Sequence, residues 1–195
     1  MMKRIQLSLV LSLVIGMAAC TDNAQQGKTR EDHETSPENK ENRVSPATST
    51  TADLHGNTVT VQYGSPRVKG RVIWGGLVPY GQVWRTGANE ATTITFSQDV
   101  LIEGQLLKAD TYSLFTIPEA DQWIIIFNLE EKQWGAFKYD QEQDALRMEV
   151  TPVIGESLTE NMTFTLEPQD NGGVIRFQWE FLTIDIPFVN APAAG

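Results

Sequence analysis

Apolar and polar residues alternate with a period of two through much of residues 54–190, which is the pattern of β-strands with one buried face. The alternation is clearest in four segments, residues 57–63, 92–96, 146–150 and 162–166. Residues 123–127 are continuously apolar, as in a strand that is buried on both faces. No helical period is sustained, and only residues 139–146 are expected to contain a helical turn.

Turn signals separate these segments at intervals of about 8–12 residues. Glu103-Gly104 predicts a two-residue hairpin turn, Pro118 ends a β-branched and aromatic run, and the Asn-Gly-Gly sequence at residues 171–173 predicts a turn before the last strands. About nine or ten short strands at this spacing predict an all-β fold, an antiparallel β-sandwich or flattened barrel. We therefore predict a single all-β domain over residues 54–190, followed by a tail at residues 191–195.

The N-terminus has the order of an export signal, with a basic start, an apolar run over residues 5–15 and small residues before Cys20. The apolar run is shorter than the roughly 20 residues that span a bilayer. Cys20 is the only cysteine, and it lies where a bacterial lipoprotein needs a thiol for its diacylglyceryl group. We predict a lipoprotein signal peptide over residues 1–19 and lipidation of Cys20. The alternative is ordinary cleavage after Ala18 with an incidental cysteine.

Residues 20–53 are rich in Thr, Ser, Asn, Gln, Glu and Lys and contain no aromatic residue. Such a segment cannot bury enough apolar surface to offset the cost of ordering its backbone, so it is predicted to be a disordered tether. Together, the tether and the acylated Cys20 predict an exported protein that is anchored in a lipid bilayer of the cell envelope. The outer membrane is the expected site, with the periplasmic or external face left open.

Several kinds of chemistry are excluded from the predicted core. The two histidines, His33 and His55, lie in the tether and at the domain edge, so histidine-based catalysis and the usual zinc sites are not expected. No run of spaced carboxylates resembles a calcium loop, and we predict no metal site and no cofactor. The domain has 9 basic and 18 acidic residues, which argues against a nucleic acid partner; the sequence indicates no particular protein partner.

Residues 64–92, GSPRVKGRVIWGGLVPYGQVWRTGANEAT, hold most of the remaining chemistry. The stretch has no acidic residue before Glu90, although the whole chain has a net charge of -10. If its first part is a strand, Arg67, Lys69 and Arg71 alternate and point to one face. Guanidinium groups there could bind carboxylate, phosphate or sulfate. The alternative is a solvated edge strand that its charges protect from aggregation.

The same stretch carries Trp74, Tyr80 and Trp84 among glycines and prolines. Aromatic rings on such loops can stack on sugars or apolar ligands, but they can equally cover the core. Trp123 lies in an apolar run and is predicted to belong to the core.

The heptapeptide at residues 84–90, WRTGANE, offers three polar groups. Arg85 could hold an anion, Asn89 could donate and accept hydrogen bonds, and Glu90 could serve as a base, an acid or a ligand anchor. In the structural alternative, Arg85 and Glu90 pair with each other and lock a loop. Convergence of these side chains with Arg67 and Arg71 on one concave surface would favour a site over a lock.

The segments SPRVKGR, IWGGLVPYGQVWRTGANEAT, TYSLFTIP and WIIIFN resemble domain-of-unknown-function family 2911, a family of exported bacterial proteins. The resemblance covers most of residues 63–152, and it departs from the family pattern at Ala109-Asp110, where the family usually has Ala-Gly. It implies export and an all-β domain, and it implies no activity or cofactor.

Three functions fit these observations. The first is a lipid-anchored β-sandwich that binds a small anionic or sugar-like ligand. Its predicted binding residues are Arg67, Arg71, Trp74, Tyr80, Trp84, Arg85, Asn89 and Glu90. The second is an envelope hydrolase or isomerase with Glu90 as the candidate catalytic residue and Arg85 as its partner. The third is a structural or scaffolding lipoprotein.

Overall fold

Residues 43–192, which the computed structural model describes, form ten β-strands and one short 3-10 helix, Gln141–Gln143. The strands are β1 Ala47–Leu54, β2 Asn57–Gly64, β3 Thr92–Phe96, β4 Val100–Ile102, β5 Gln105–Leu107, β6 Thr111–Ile117, β7 Trp123–Asn128, β8 Asp144–Val150, β9 Val153–Gln169 and β10 Gly172–Asn190. Within this range no helix has the length and apolarity to cross a membrane.

The strands form two antiparallel sheets, one of six strands in the order β1-β2-β3-β6-β7-β8 and one of four in the order β5-β4-β10-β9. Alternate residues of both sheets meet in one core, as β2 illustrates: Val59, Val61 and Tyr63 are buried while Thr58 and Gln62 are exposed. The prediction of an all-β antiparallel sandwich is therefore confirmed.

The strands β9 and β10 are longer than the short strands that the sequence predicted. They pair with each other as one long hairpin in the second sheet. Its turn lies at Asp170 and Asn171, one residue earlier than predicted, and Asp170 has a φ of 48°. The pairing is irregular on both sides of Glu180, which has a φ of 58°. A bulge there lets a single strand bend where the sequence suggested separate segments.

The predicted start of the domain at residue 54 was too late, because β1 lies inside the stretch that was assigned to the tether. It pairs with β2 along its whole length, from Ala47 opposite Gly64 to Leu54 opposite Asn57. This edge strand is made largely of small polar residues that are exposed or half-buried. Its order comes from the backbone ladder rather than from apolar burial, so composition could not reveal it. The predicted export signal, Cys20, the predicted tether up to residue 42 and residues 193–195 lie outside the described residues.

Candidate functional site

The neighbouring antiparallel strands β2 and β3 are joined by an exceptionally long connection, residues 65–91, which we call the β2–β3 loop. Such strands are usually joined by about 2–5 residues, and longer loops without their own secondary structure are commonly functional. The loop is fastened to both sheets. Met162 on β9 donates its backbone N–H to Pro66 O at 2.9 Å. Trp84 exchanges two backbone hydrogen bonds with Thr116 on β6. These anchors hold the loop across the two sheets.

The first part of the loop is not a strand, so Arg67, Lys69 and Arg71 do not alternate along a strand as the sequence suggested. Only Arg67 forms a bridge, with Asn161, and Lys69 and Gly70 have positive φ values of 49° and 65°. The backbone turns there, with Arg71 N donating to Val68 O at 3.1 Å. The three cations therefore surround a turn instead of sharing one strand face.

A cavity of about 650 Å³ lies against the β2–β3 loop. Its polar lining includes four basic residues and two amides: Arg67, Lys69, Arg71, Arg85, Gln82 and Asn89. The rest of its lining is Val44, Ser45, Pro66, Leu77, Val78, Pro79, Val83, Trp84, Gly87, Ala88, Ala136, Phe137 and Trp179. None of these lining residues is acidic. The turn thus brings Arg67, Lys69 and Arg71 together, although the sequence pattern predicted that they would share one face of a strand.

The backbone on either side of Arg85 is tightly held. Arg85 O accepts from Thr92 N at 3.2 Å, and the buried Thr86 donates through Oγ1 to Thr116 Oγ1 at 3.2 Å. The side chain has no such support: Arg85 Nε is buried and has no hydrogen-bond partner within residues 43–192. Burial also lowers the pKa of the Arg85 guanidinium from its ordinary value. A buried donor without an acceptor is costly. Because Arg85 also lines the cavity, an anion bound there would lie beside its guanidinium and favour its charged form.

The other arginines of the cavity are oriented by neutral oxygens. Arg71 Nε donates to Val68 O at 3.1 Å, and its guanidinium also donates to Arg67 O. Arg67 Nε donates to Asn161 Oδ1 at 3.1 Å. None of the four cations of the cavity takes part in an ion pair with another described residue. Arg67, Lys69 and Arg71 are exposed, so their charges face solvent and are accessible to a ligand.

Glu90 has a different environment, because its carboxylate pairs with Arg43 NH1 at 2.6 Å. The Arg43 guanidinium also lies 5.6 Å from the ring centroid of Trp134, in the range of a cation–π contact. Glu90 lines a second, smaller cavity along β1 and β2 and is not among the residues that line the cationic one. The Arg85–Glu90 pair that the sequence suggested is absent from the ion pairs of the described residues.

Asn89 contributes to the cavity and also holds its wall. Asn89 has a φ of 66°, and its Nδ2 donates to Ser45 O at 3.0 Å. Ser65 N donates to Pro46 O at 2.9 Å. These contacts, together with the Glu90–Arg43 pair, fix residues 43–46, which we call the N-terminal strap. Asn89 and Glu90 thus position one side of the cavity.

The tryptophans of the loop pack mainly on the core. Trp74 makes an edge contact with Trp123 at 4.8 Å between ring centroids, and Trp84 stacks on Trp179 at 5.9 Å with an interplanar angle of 20°. Trp84 and Trp179 line the cavity, whereas Trp74 does not. Tyr80 is exposed and also lies outside the lining. A Cβ at Gly75 would come within 3.0 Å of the Tyr80 ring, so that ring packs over Gly75.

Five predicted residues therefore share one cavity, namely Arg67, Arg71, Trp84, Arg85 and Asn89. Trp74, Tyr80 and Glu90 lie elsewhere. Trp123 is buried in the core, as predicted. Within the described part of the chain, no group of three or more His, Cys, Asp or Glu side chains is arranged to hold a metal ion.

A family model described as "Protein of unknown function (DUF2911)" matches residues 45–188. The chain belongs to this family. The match contains all ten strands except the last residues of β10, and it includes the whole β2–β3 loop. No curated protein and no solved structure matches the chain.

Some residues of the cavity in this DUF2911 domain gave no signal in the sequence. Trp179 follows the alternation of a core strand, and Val44 and Ser45 lie in a segment with no hydrophobic pattern. Phe137 lies in the connection between β7 and β8. Its position was a hint, because an aromatic residue outside any strand pattern needs another reason for being there.

Proposed function

We propose that this DUF2911 protein is a cell-envelope binding protein, lipid-anchored through Cys20, which takes a small anionic ligand into the cavity beside the β2–β3 loop. The observation that carries the proposal is the position of Arg85 in the lining of a cavity with Arg67, Lys69 and Arg71, while its buried Nε has no acceptor among the described residues. Export and lipid anchoring rest on the N-terminal sequence.

An anion supplies what this arrangement lacks. Carboxylate, sulfate and phosphate oxygens accept charge-assisted hydrogen bonds from guanidinium groups, and they match the planar arginine fork. Each such bond contributes about 1.5–3 kcal/mol. A neutral sugar would leave the four positive charges uncompensated, and two of the aromatic rings considered for sugar stacking, Trp74 and Tyr80, lie outside the cavity.

The enzymatic alternative has less support. It needs Glu90 beside Arg85 as a base, but the Glu90 carboxylate pairs with Arg43 and does not line the cavity. A scaffolding function would not account for a buried arginine donor without an acceptor. Binding is therefore the function that the geometry of these residues supports best.

Arg85→Met provides the test, because methionine has a similar length but no charge. Calorimetric titration with acetate, sulfate and phosphate should give saturable binding to the native protein. Binding should be at least about tenfold weaker in the variant, from the loss of a charge-assisted hydrogen bond. The free energy of unfolding should rise by about 1 kcal/mol, because an unpartnered buried donor has been removed. For a domain of this size that raises Tm by roughly 2–4 °C.

Lys132→Met is the matched control, since the Lys132 side chain is exposed and lies outside the cavity. It removes one positive charge from the same acidic protein and should leave anion binding unchanged. The proposal fails if none of the three anions binds, or if both variants weaken binding equally. A lower Tm in Arg85→Met would show that Arg85 supports the fold instead of a ligand.

A further inference from the structure

Three apolar side chains in the lining of the cavity are in contact with solvent. Phe137 is 86% exposed and Val44 is 79% exposed. Leu77, which also lines the cavity, is exposed as well. Val72, next to Leu77 through the hydrogen bond from Leu77 N to Val72 O, is exposed as well. The mouth of the cavity thus presents an apolar surface.

The apolar lining continues into the protein. Val78 is buried and lines the cavity, as does Trp179, whose ring is stacked by Trp84. The Nε1 of Trp179 is buried and has no acceptor among residues 43–192. The same cavity therefore offers cationic donors and the exposed apolar side chains of Val44, Leu77 and Phe137 to one occupant.

We infer that the ligand is a single-chain amphiphile, an acidic head group joined to an apolar tail. This inference rests on the proposed function and specifies its ligand. The acid would bind Arg85 and the neighbouring cations, while the tail would cover Leu77, Val78 and Phe137.

Two physical arguments separate this ligand from a simple inorganic anion. A cavity of about 650 Å³ has the size that holds an organic ligand, and sulfate would leave most of its wall in water. Exposed apolar side chains gathered at the rim of a site indicate an apolar partner, and the surrounding positive charge requires that this partner also be acidic. An amphiphilic anion meets both requirements with one molecule.

The test is a calorimetric titration of the whole protein with acetate, butanoate, hexanoate and octanoate, which share one head group. Affinity should rise by up to about fourfold for each methylene that becomes buried against the apolar wall. Hexanamide has the tail of hexanoate without its charge, and it should bind at least tenfold more weakly than hexanoate.

Phe137→Ala tests the contribution of the ligand's tail to binding separately from that of its head group. It should weaken octanoate binding severalfold and leave acetate binding unchanged, because acetate has no tail to cover that ring. Phe181→Ala is the matched control, since Phe181 is also exposed but lies outside the cavity. It should leave both affinities unchanged.

The possible outcomes distinguish the two proposals. Arg85-dependent binding with equal affinity along the carboxylate series would overturn the amphiphile and keep the anion site. Failure of every anion to bind would overturn both. Octanoate binding that survives Arg85→Met, or that Phe137→Ala and Phe181→Ala reduce alike, would reveal adsorption on exposed apolar surface and overturn the amphiphile.

Discussion

Three polar side chains that support the connection between β7 and β8, those of Tyr139, Asp144 and Arg147, bond to one another. Tyr139 OH donates to Asp144 Oδ2 at 2.7 Å and accepts from Arg147 NH1 at 3.0 Å, and Arg147 also pairs with Asp144 at 2.8 Å. Buried Asn128 donates to Asp144 Oδ1 at 2.8 Å. A satisfied network of this kind makes a loop rigid. Arg85 differs from these three side chains, because its buried Nε has no acceptor among the described residues.

Tyr139 gives a pH-dependent test of this network. Burial, followed by the hydrogen bond and charge of Asp144, raises the pKa of Tyr139 from 10.0 to about 12. Because the folded pKa lies above the unfolded one, this group's stabilisation is fully present below about pH 10 and is lost as the pH rises toward 12. Between about pH 10 and pH 12, the free energy of unfolding of Tyr139→Phe should therefore fall less than that of the native protein. Urea unfolding at each pH measures this difference.

Tyr80→Phe serves as the comparison, because it removes an exposed phenol that lies outside the network. Its stability should follow the same pH dependence as that of the native protein. If both variants keep that pH dependence, the phenol of Tyr139 does not have the folded-state pKa on which the prediction depends.

Residue chemistry identified the WRTGANE segment as distinctive but could not assign the roles within it. Arg85 and Glu90 looked like partners because they have opposite charges in one short segment. In the structure Glu90 pairs with Arg43, which is 47 residues away in the sequence. A partner at that distance, in a segment without hydrophobic pattern, leaves no local signal from which it could be predicted.

At the scale of elements, the N-terminal strap is a small unit that only a few contacts hold. Asn89→Gly removes the side-chain hydrogen bond to Ser45 O while keeping the left-handed backbone, which glycine adopts without strain. Loss of one hydrogen bond, about 1 kcal/mol, should favour local opening of the strap by about fivefold. Hydrogen exchange of the Ser65 amide, which donates to Pro46 O, should accelerate by that factor.

Asp170→Gly is a suitable control, since Asp170 also has a positive φ but lies in the turn between β9 and β10. The Ser65 amide should exchange there at its native rate. Unchanged Ser65 exchange in Asn89→Gly would mean that the strap is held without Asn89.

Strands with one buried face were predictable from the sequence. Strands that are held mainly by backbone hydrogen bonds were not. β2, β3 and β8 follow their alternation closely because each faces the shared core. The first residues of β9 are exposed, so no pattern marked the true length of that strand. The turn at Lys69 and Gly70 was missed because alternating cations resemble a strand, while the left-handed backbone that breaks it leaves little trace in the sequence.

At the scale of the whole molecule, β1 is part of the domain. It adds an eight-residue ladder to β2, brings Leu54 into the core, and joins the second sheet through Thr50 Oγ1, which donates to Phe164 O at 3.0 Å. A chain that begins at residue 43 should unfold cooperatively. One that begins at residue 55 should lose that transition, because β2 would be left as an unpaired edge.

Thermal unfolding followed by circular dichroism would compare the two chains. Equal Tm values would mean that β1 does not contribute to the stability of the domain. In that case the domain boundary predicted at residue 54 would be the functional one after all.

The sandwich as a whole was predictable because its core depends on a pattern repeated in many strands, so errors in single segments did not change the fold class. The cavity was only partly predictable. The β2–β3 loop supplied the recognisable cations, but the strap, the β7–β8 connection and β10 each supply lining residues. Which distant segments meet is a property of the folded chain.

The packing of Trp74, Trp84, Trp123 and Trp179 into one cluster gives this protein an optical property. Indoles in mutual contact share excitation energy, so light absorbed by one ring is emitted by the group. Trp84 and Trp179 border the cavity, and an occupant beside them would change the quenching of the whole cluster. Trp134, which lies outside the cluster and is exposed, would add a separate, solvent-shifted emission. The fluorescence of the native chain therefore contains its own reporter of occupancy, without any attached dye.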